Sequence, residues 1–245
     1  MKNMSENKNE ELYLLVKDGI ESFEGDFEKY KMDPRIDEEH LEYTLLLFEQ
    51  AKKIFTNQNN LKERPAATSL LIEACRFATI CILKIEILNY FGINRLIRDS
   101  QQNQDNKLIS NYWLTEIFPS FQTASLISVI TIDNQTYGFF GIGVSPFKLV
   151  IAYHVMEVDE FWSDRVEEVL NRFEVNEIDG LGGGLDGVRY NMKIFSQAEY
   201  SHVSFSSSTN ESIRTTVKAM QDVGYDIVKS ATDERLKEYL QSRFW

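Results

Sequence analysis

The chain has 245 residues, of which 43% are hydrophobic and 12% aromatic. This apolar content is enough to form a packed core and argues against wholesale disorder. It carries 26 Lys and Arg against 38 Asp and Glu, which gives a formal net charge of −12. Because an acidic surface is repelled by phosphates, we do not expect direct binding to nucleic acid or to an anionic membrane.

Helical periodicity dominates the first 120 residues. Apolar residues at three- and four-residue spacing predict helices over 10–31 and 36–56. A third helix, 65–91, is apolar around most of its circumference, and Gly92 is placed to end it. Charged residues interrupt this helix, whereas a bilayer crossing needs about 20 predominantly apolar residues in a row. We therefore expect the central helix of a bundle instead of a membrane span.

A polar stretch at 99–111 predicts a long loop or a linker. A short apolar turn follows at 113–118, and Pro119 closes it. After this turn the period of the apolar residues changes from 3.6 to 2. Asp133-Asn134-Gln135 predicts a turn, and glycines such as Gly138 indicate bulges or close backbone approach. The predicted strands are 126–132, 137–144, 148–156, 188–194 and 200–205. The predicted helices are 160–174, 210–223, which Gly224 is expected to stop, and 232–243.

These patterns predict an α+β fold: an N-terminal helical bundle followed by a mostly antiparallel sheet of about five strands with C-terminal helices. The helical region covers 1–120 and the α+β region 121–245, either as two domains or as one continuous domain. Cys75 and Cys81 lie six residues apart on one helix and point to different sides. The polar N-terminus lacks the apolar core of a secretory signal. We therefore expect reduced thiols in a cytoplasmic protein.

The sequence has no complete motif for metal binding, nucleotide binding or covalent catalysis. His40, His154 and His202 lie far apart and form no local zinc motif. The segment 182–187 matches G-x-G-x-x-G, but a predicted helix precedes it and a strand follows, the reverse of the order that dinucleotide binding requires. The sequence has no phosphate-binding loop and no G-x-S-x-G motif. We expect no cofactor, no metal and no catalytic residue, which favours a binding protein over an enzyme.

The predicted hairpin offers a candidate ligand face, here called the hairpin face. It consists of the polar and basic residues that alternate with the apolar ones: Arg189, Asn191, Lys193, His202 and Ser204. Such a group suits the binding of an anion or hydrolytic acid–base chemistry. The alternative is the ordinary solvated face of an antiparallel hairpin.

The predicted helix 160–174 offers a candidate partner-binding surface, here called the acidic strip. It consists of carboxylates that fall mainly opposite the apolar side of that helix: Glu160, Asp164, Glu167, Glu168 and Glu174. Such a strip would oppose the positive charge of a basic partner and speed their encounter. The alternative is a solvated helix face.

The opening of the hairpin, Leu185-Asp186-Gly187-Val188-Arg189-Tyr190, resembles the "LDG, apolar, x, aromatic" hairpins of small bacterial polymorphic-toxin immunity proteins. The resemblance implies a soluble, toxin-neutralising role. We therefore expect a soluble cytoplasmic protein-binding module, of immunity or adaptor type, with a basic protein partner. Two alternatives stay open: an enzyme or small-ligand binder that uses the hairpin face, and a structural subunit of a bacterial assembly that uses helix 65–91 as its interface.

Overall fold

The computed structural model of the protein describes residues 2–57, 64–94, 109–119, 122–158, 187–196, 199–206 and 211–241. Over these ranges three N-terminal helices precede a six-stranded sheet and two C-terminal helices. The predicted α+β class is therefore confirmed. The chain divides into two compact units, Met1–Ile85 with Gly143–Ile151 and Glu86–Ile142 with Ala152–Trp245.

The first unit is helical. Its elements are α1 (Lys2–Phe27), α2 (Glu38–Thr56) and the part of α3 (Arg64–Phe91) that ends at Ile85. Phe23 stacks on Phe48 with ring centroids 4.2 Å apart, because both residues lie on the apolar stripes of their helices. All three helices fall where the periodicity predicts them, although α1 starts and ends earlier than the predicted 10–31.

The helix α3 ends where the sequence predicts. Gly92 takes a φ of 61°, the left-handed conformation that favours glycine just beyond a helix C-terminus. The backbone N–H of Ile93 then donates to the carbonyl of Leu88 at 2.9 Å. The helix segment Pro65–Phe91 is long and apolar enough to cross a membrane, but 67% of its most apolar stretch is buried inside the protein. Burial of that extent is typical of a core helix.

The second unit is built on a sheet whose described strands follow the order β4-β3-β2-β1-β5-β6. The pairs β1–β2, β2–β3, β1–β5 and β5–β6 are antiparallel. The strands are β1 (Ile109–Pro119), β2 (Ser125–Ile132), β3 (Gln135–Gly143), β4 (Ile151–Val158), β5 (Val188–Ser196) and β6 (Glu199–Ser206). The strand predicted over 148–156 thus begins later than expected, at Ile151.

The strand β1 is not predicted from the sequence. Over 109–119, where the end of the polar stretch and a short apolar turn are predicted, the structure has an extended strand that lies between β2 and β5. Residues 112–119 are all buried. A strand that is buried on both faces lacks the period-2 alternation by which half-buried strands are identified. With β1, the sheet has six described strands, whereas the sequence predicts about five.

The turn between β2 and β3 is confirmed. Asp133 and Asn134 have φ values of 52° and 67°, and the flanking residues Ile132 and Gln135 pair with each other. Positive φ at both central residues is the mark of a two-residue type I′ hairpin turn, which Asp and Asn tolerate better than most residues.

Two C-terminal helices, α4 (Glu211–Val228) and α5 (Glu234–Gln241), complete the second unit. The prediction that Gly224 stops α4 is wrong, because the helix continues to Val228. A Cβ on Gly224 would lie 3.2 Å from Cδ2 of Leu240 and 3.6 Å from Cδ1 of Ile127. The glycine therefore allows α4 to pack closely against α5 and β2.

Candidate functional site

The hairpin β5–β6 brings the five residues of the hairpin face onto one side of the sheet. In its register Asn191 pairs with Ser204, and Lys193 pairs with His202. Arg189 precedes Asn191 by two positions and therefore projects from the same face. Arg189, His202 and Ser204 are exposed, whereas Asn191 and Lys193 are half-buried.

A row of hydrogen bonds, here called the polar row, crosses three strands at the centre of this face. Asn191 pairs with Glu116 of β1, and its Nδ2 donates to Glu116 Oε2 at 3.2 Å. The Oγ of Ser204 donates to Asn191 Oδ1 at 3.0 Å. Since Glu116 is fully buried and Ser204 is exposed, the polar row leads from the sheet interior to its surface.

Glu116 is the residue of this site that the sequence did not reveal. It lies on β1, in a segment for which the sequence predicts a short apolar turn. Because this segment shows no period-2 pattern, the sequence could neither place Glu116 on a strand face nor pair it with Asn191. The only available hint was an acidic residue within an apolar run, Trp113 to Phe118, because a carboxylate that is buried there needs hydrogen-bond donors.

Arg189 makes a second type of contact at this face. Its register partner on β1 is Phe118, and the guanidinium carbon lies 4.7 Å from the centroid of the Phe118 ring. This distance is within the range of cation–π attraction. The contact orients the Arg189 side chain over β1 while the residue stays exposed to solvent.

The hydrogen bond of Ser204 differs from the one that a serine nucleophile makes. The Ser204 hydroxyl donates a hydrogen bond to the amide oxygen of Asn191, whereas the hydroxyl of a serine nucleophile would donate to a general base. Within the described part of the chain, no group of three or more His, Cys, Asp and Glu side chains could hold a metal ion.

Two titratable groups elsewhere have pKa values that burial has shifted. The Nε2 atom of His154, on β4, lies 2.9 Å from the Oγ of Ser230, and burial lowers the pKa of this histidine. Cys75 and Cys81 are free thiols in the interior of α3. Burial raises the pKa of Cys75 to about 12, which makes this thiol a poor nucleophile at neutral pH.

The acidic strip of Glu160, Asp164, Glu167, Glu168 and Glu174 lies outside the described residues. Residues 182–186 of the segment that matches G-x-G-x-x-G also lie outside them.

Comparison with known proteins assigns no family to the chain. No protein-family model matches the sequence, and the search of curated proteins gives no significant match.

Proposed function

We propose that this chain is a soluble cytoplasmic protein-binding module of the immunity type, which neutralises a basic toxin by binding to it. The observation that carries the proposal is the charge of −12, from 38 acidic and 26 basic residues. A field of that sign attracts a basic protein, raises its association rate and disfavours competing nucleic acid.

The state of the hairpin face supports binding in preference to chemistry. Its central polar groups, Glu116, Asn191 and Ser204, are bonded to one another in the polar row. Such a network stabilises the hairpin and holds its exposed residues in place. The opening of the same hairpin carries the resemblance to polymorphic-toxin immunity proteins.

The direct test is co-expression with the product of the neighbouring gene, in cells whose growth reports toxicity. We expect restored growth and a purified complex of the two proteins with defined stoichiometry. The proposal is overturned if a toxic neighbour is neither bound nor neutralised.

The acidic strip is the docking surface that the sequence suggests for this partner. The double substitution Asp164→Lys with Glu168→Lys is expected to slow association and weaken its dependence on salt. Stability is expected to hold or rise, because like charges four residues apart on a helix repel by a few tenths of a kcal/mol. A control with the same change of net charge is Glu42→Lys with Glu49→Lys, two exposed positions on α2.

A second candidate function is the binding of a small anion. One observation favours it: Arg189, Lys193 and His202 share one face of the hairpin. Isothermal titration with inorganic phosphate tests it, with Lys193→Gln expected to weaken binding and Lys218→Gln, exposed on α4, expected to leave it unchanged. No detectable heat at millimolar phosphate would count against this candidate.

The remaining candidate, a subunit that assembles through α3, receives less support. Most of that helix is buried inside the protein. Little apolar surface is then left on α3 for a second subunit to cover.

A further inference from the structure

Three tyrosines form a surface in the second unit, where the end of α3 meets β3 and β4. Tyr90 of α3 is 54% exposed and Tyr153 of β4 is 39% exposed, while Tyr137 of β3 is half-buried. Large aromatic side chains exposed singly need no explanation, but a group of them on one surface often marks an interaction site.

Buried phenylalanines hold these tyrosine rings in place. Tyr90 meets Phe91 edge-on with centroids 5.0 Å apart, and Phe91 lies 5.0 Å from the ring of Tyr137. Tyr153 stacks on Phe139 at 5.4 Å. Because Phe91 and Phe139 are buried, the exposed rings rest on a packed base. Such preorganisation reduces the entropy that binding would otherwise cost.

The same surface is acidic. The segments that build it, 86–94, 133–143 and 151–158, contain no Lys or Arg and three carboxylates, Glu86, Asp133 and Glu157. Tyr153 Oη donates to Glu86 Oε2 at 3.2 Å. The one histidine among these segments, His154, has a pKa that burial lowers, so it is neutral at pH 7.

The tyrosine hydroxyls respond to this negative field. Burial, followed by the charge of Glu157, raises the pKa of Tyr137. Burial, followed by the charge of Glu86, raises the pKa of Tyr153. Tyr90 is a further, smaller cause of the raised pKa of both tyrosines.

We propose that this tyrosine–carboxylate surface binds arginine side chains of the basic protein partner. A guanidinium group stacks on aromatic rings and pairs with carboxylates, whereas an ammonium group acts mainly as a point charge. Tyrosine and arginine are also the residues most often found where binding energy concentrates in protein interfaces. The inference rests on the proposed function, since it names where that partner binds, and it concerns residues other than the acidic strip.

The test compares the binding of fluorescent octa-arginine and octa-lysine peptides, measured by anisotropy at low salt. We expect octa-arginine to bind more tightly than octa-lysine. We expect Tyr90→Ala and Tyr153→Ala each to weaken octa-arginine binding roughly threefold to tenfold and to reduce the difference between the peptides. Tyr153→Phe retains the ring and is expected to retain most of the affinity, which separates a binding role from a folding defect.

Matched controls distinguish this surface from the general acidity of the chain. Tyr43→Ala removes a tyrosine of α2 that is 44% exposed and is expected to leave octa-arginine binding unchanged. Glu157→Gln is expected to weaken binding more than Glu49→Gln, which makes the same charge change on α2.

The inference is overturned if the two peptides bind equally well, or if the tyrosine substitutions have no greater effect than their controls. It also fails, while the proposed function stands, if a neutralised toxin binds the Tyr90→Ala variant as tightly as the unmodified protein. Conversely, tyrosine-dependent binding of octa-arginine in a protein that neutralises no partner supports this surface and contradicts the immunity role.

Discussion

Gly138 of β3 faces Ile227 of α4 so closely that an added Cβ would lie 2.7 Å from Cγ1 and 2.9 Å from Cδ1 of the isoleucine. Ile227 is fully buried, so an added Cβ would force a shift within the core. The close backbone approach that the glycines of this strand predict is therefore found at Gly138, and it fixes the spacing between α4 and the sheet.

The substitution Gly138→Ala is expected to lower the free energy of unfolding by roughly 1–3 kcal/mol, because overpacking displaces α4. The measurement is the urea midpoint of unfolding. Gly25→Ala is the control, since a Cβ at Gly25 in α1 would meet nothing within 4 Å. We expect that variant to gain about 0.5–1 kcal/mol from lower backbone entropy in the unfolded chain. Equal midpoints for both variants would contradict the steric account.

The polar row leads to a second prediction. Asn191→Ala removes the amide that donates to the buried carboxylate of Glu116, and leaving such a group short of a donor costs about 1–3 kcal/mol of stability. Ser204→Ala is expected to cost less, because water replaces the hydroxyl at that exposed position. If chemical denaturation shows the two variants to be equally stable, the polar row contributes nothing through Glu116.

The five described helices and five of the six described strands were predictable from sequence, whereas the strand β1 was not. The helices α1 and α2 and the hairpin β5–β6 each alternate apolar and polar residues with a clear period. The strand β1 is buried over residues 112–119 and therefore shows no period. The hairpin face was thus predictable, but its buried partner Glu116 was not, because that residue depends on β1.

Local residue preferences also misled where tertiary packing decides. Gly224 has the intrinsic character of a helix stop, yet α4 continues past it, and a Cβ there would make a tight contact of 3.2 Å with Cδ2 of Leu240. The tyrosine–carboxylate surface had no local signal, since Tyr90, Tyr137 and Tyr153 come from three separate elements that only the tertiary fold brings together.

Tyr190 gives a third prediction. It is fully buried, burial raises the pKa of its hydroxyl, and that hydroxyl has no hydrogen-bond partner among the described residues. Tyr190→Phe is expected to be neutral or to stabilise the protein by up to about 1 kcal/mol, because it removes an unsatisfied polar group. Tyr190→Ala, by contrast, is expected to cost about 3–5 kcal/mol through loss of packing. If thermal unfolding shows that Tyr190→Phe is less stable than the unmodified protein, the hydroxyl has a hydrogen-bond partner in solution.

The buried thiols give a fourth prediction. Cys75 and Cys81 are 2% and 3% exposed, and the pKa of Cys75, about 12, keeps its thiol protonated at pH 8. Ellman's reagent is expected to label neither cysteine of the folded protein within minutes and to label both in denaturant. Rapid stoichiometric labelling of the native protein would contradict the burial of these side chains.

The last prediction concerns the acid side of the stability profile. Burial lowers the pKa of His154 below its ordinary value of 6.5, so the folded state disfavours the protonated imidazole relative to the unfolded chain. The stability contributed by this difference is fully present above about pH 6.5, the pKa in the unfolded state, and is lost as the pH falls through the lower folded value. His154→Gln keeps a hydrogen-bonding side chain near Ser230 and removes the titration. Its urea midpoint is therefore expected to fall less between pH 7.5 and pH 5 than that of the unmodified protein. His202→Gln, at an exposed position of β6, retains His154 and is expected to show the full decrease. An identical decrease in all three proteins would place the source of acid sensitivity in other residues.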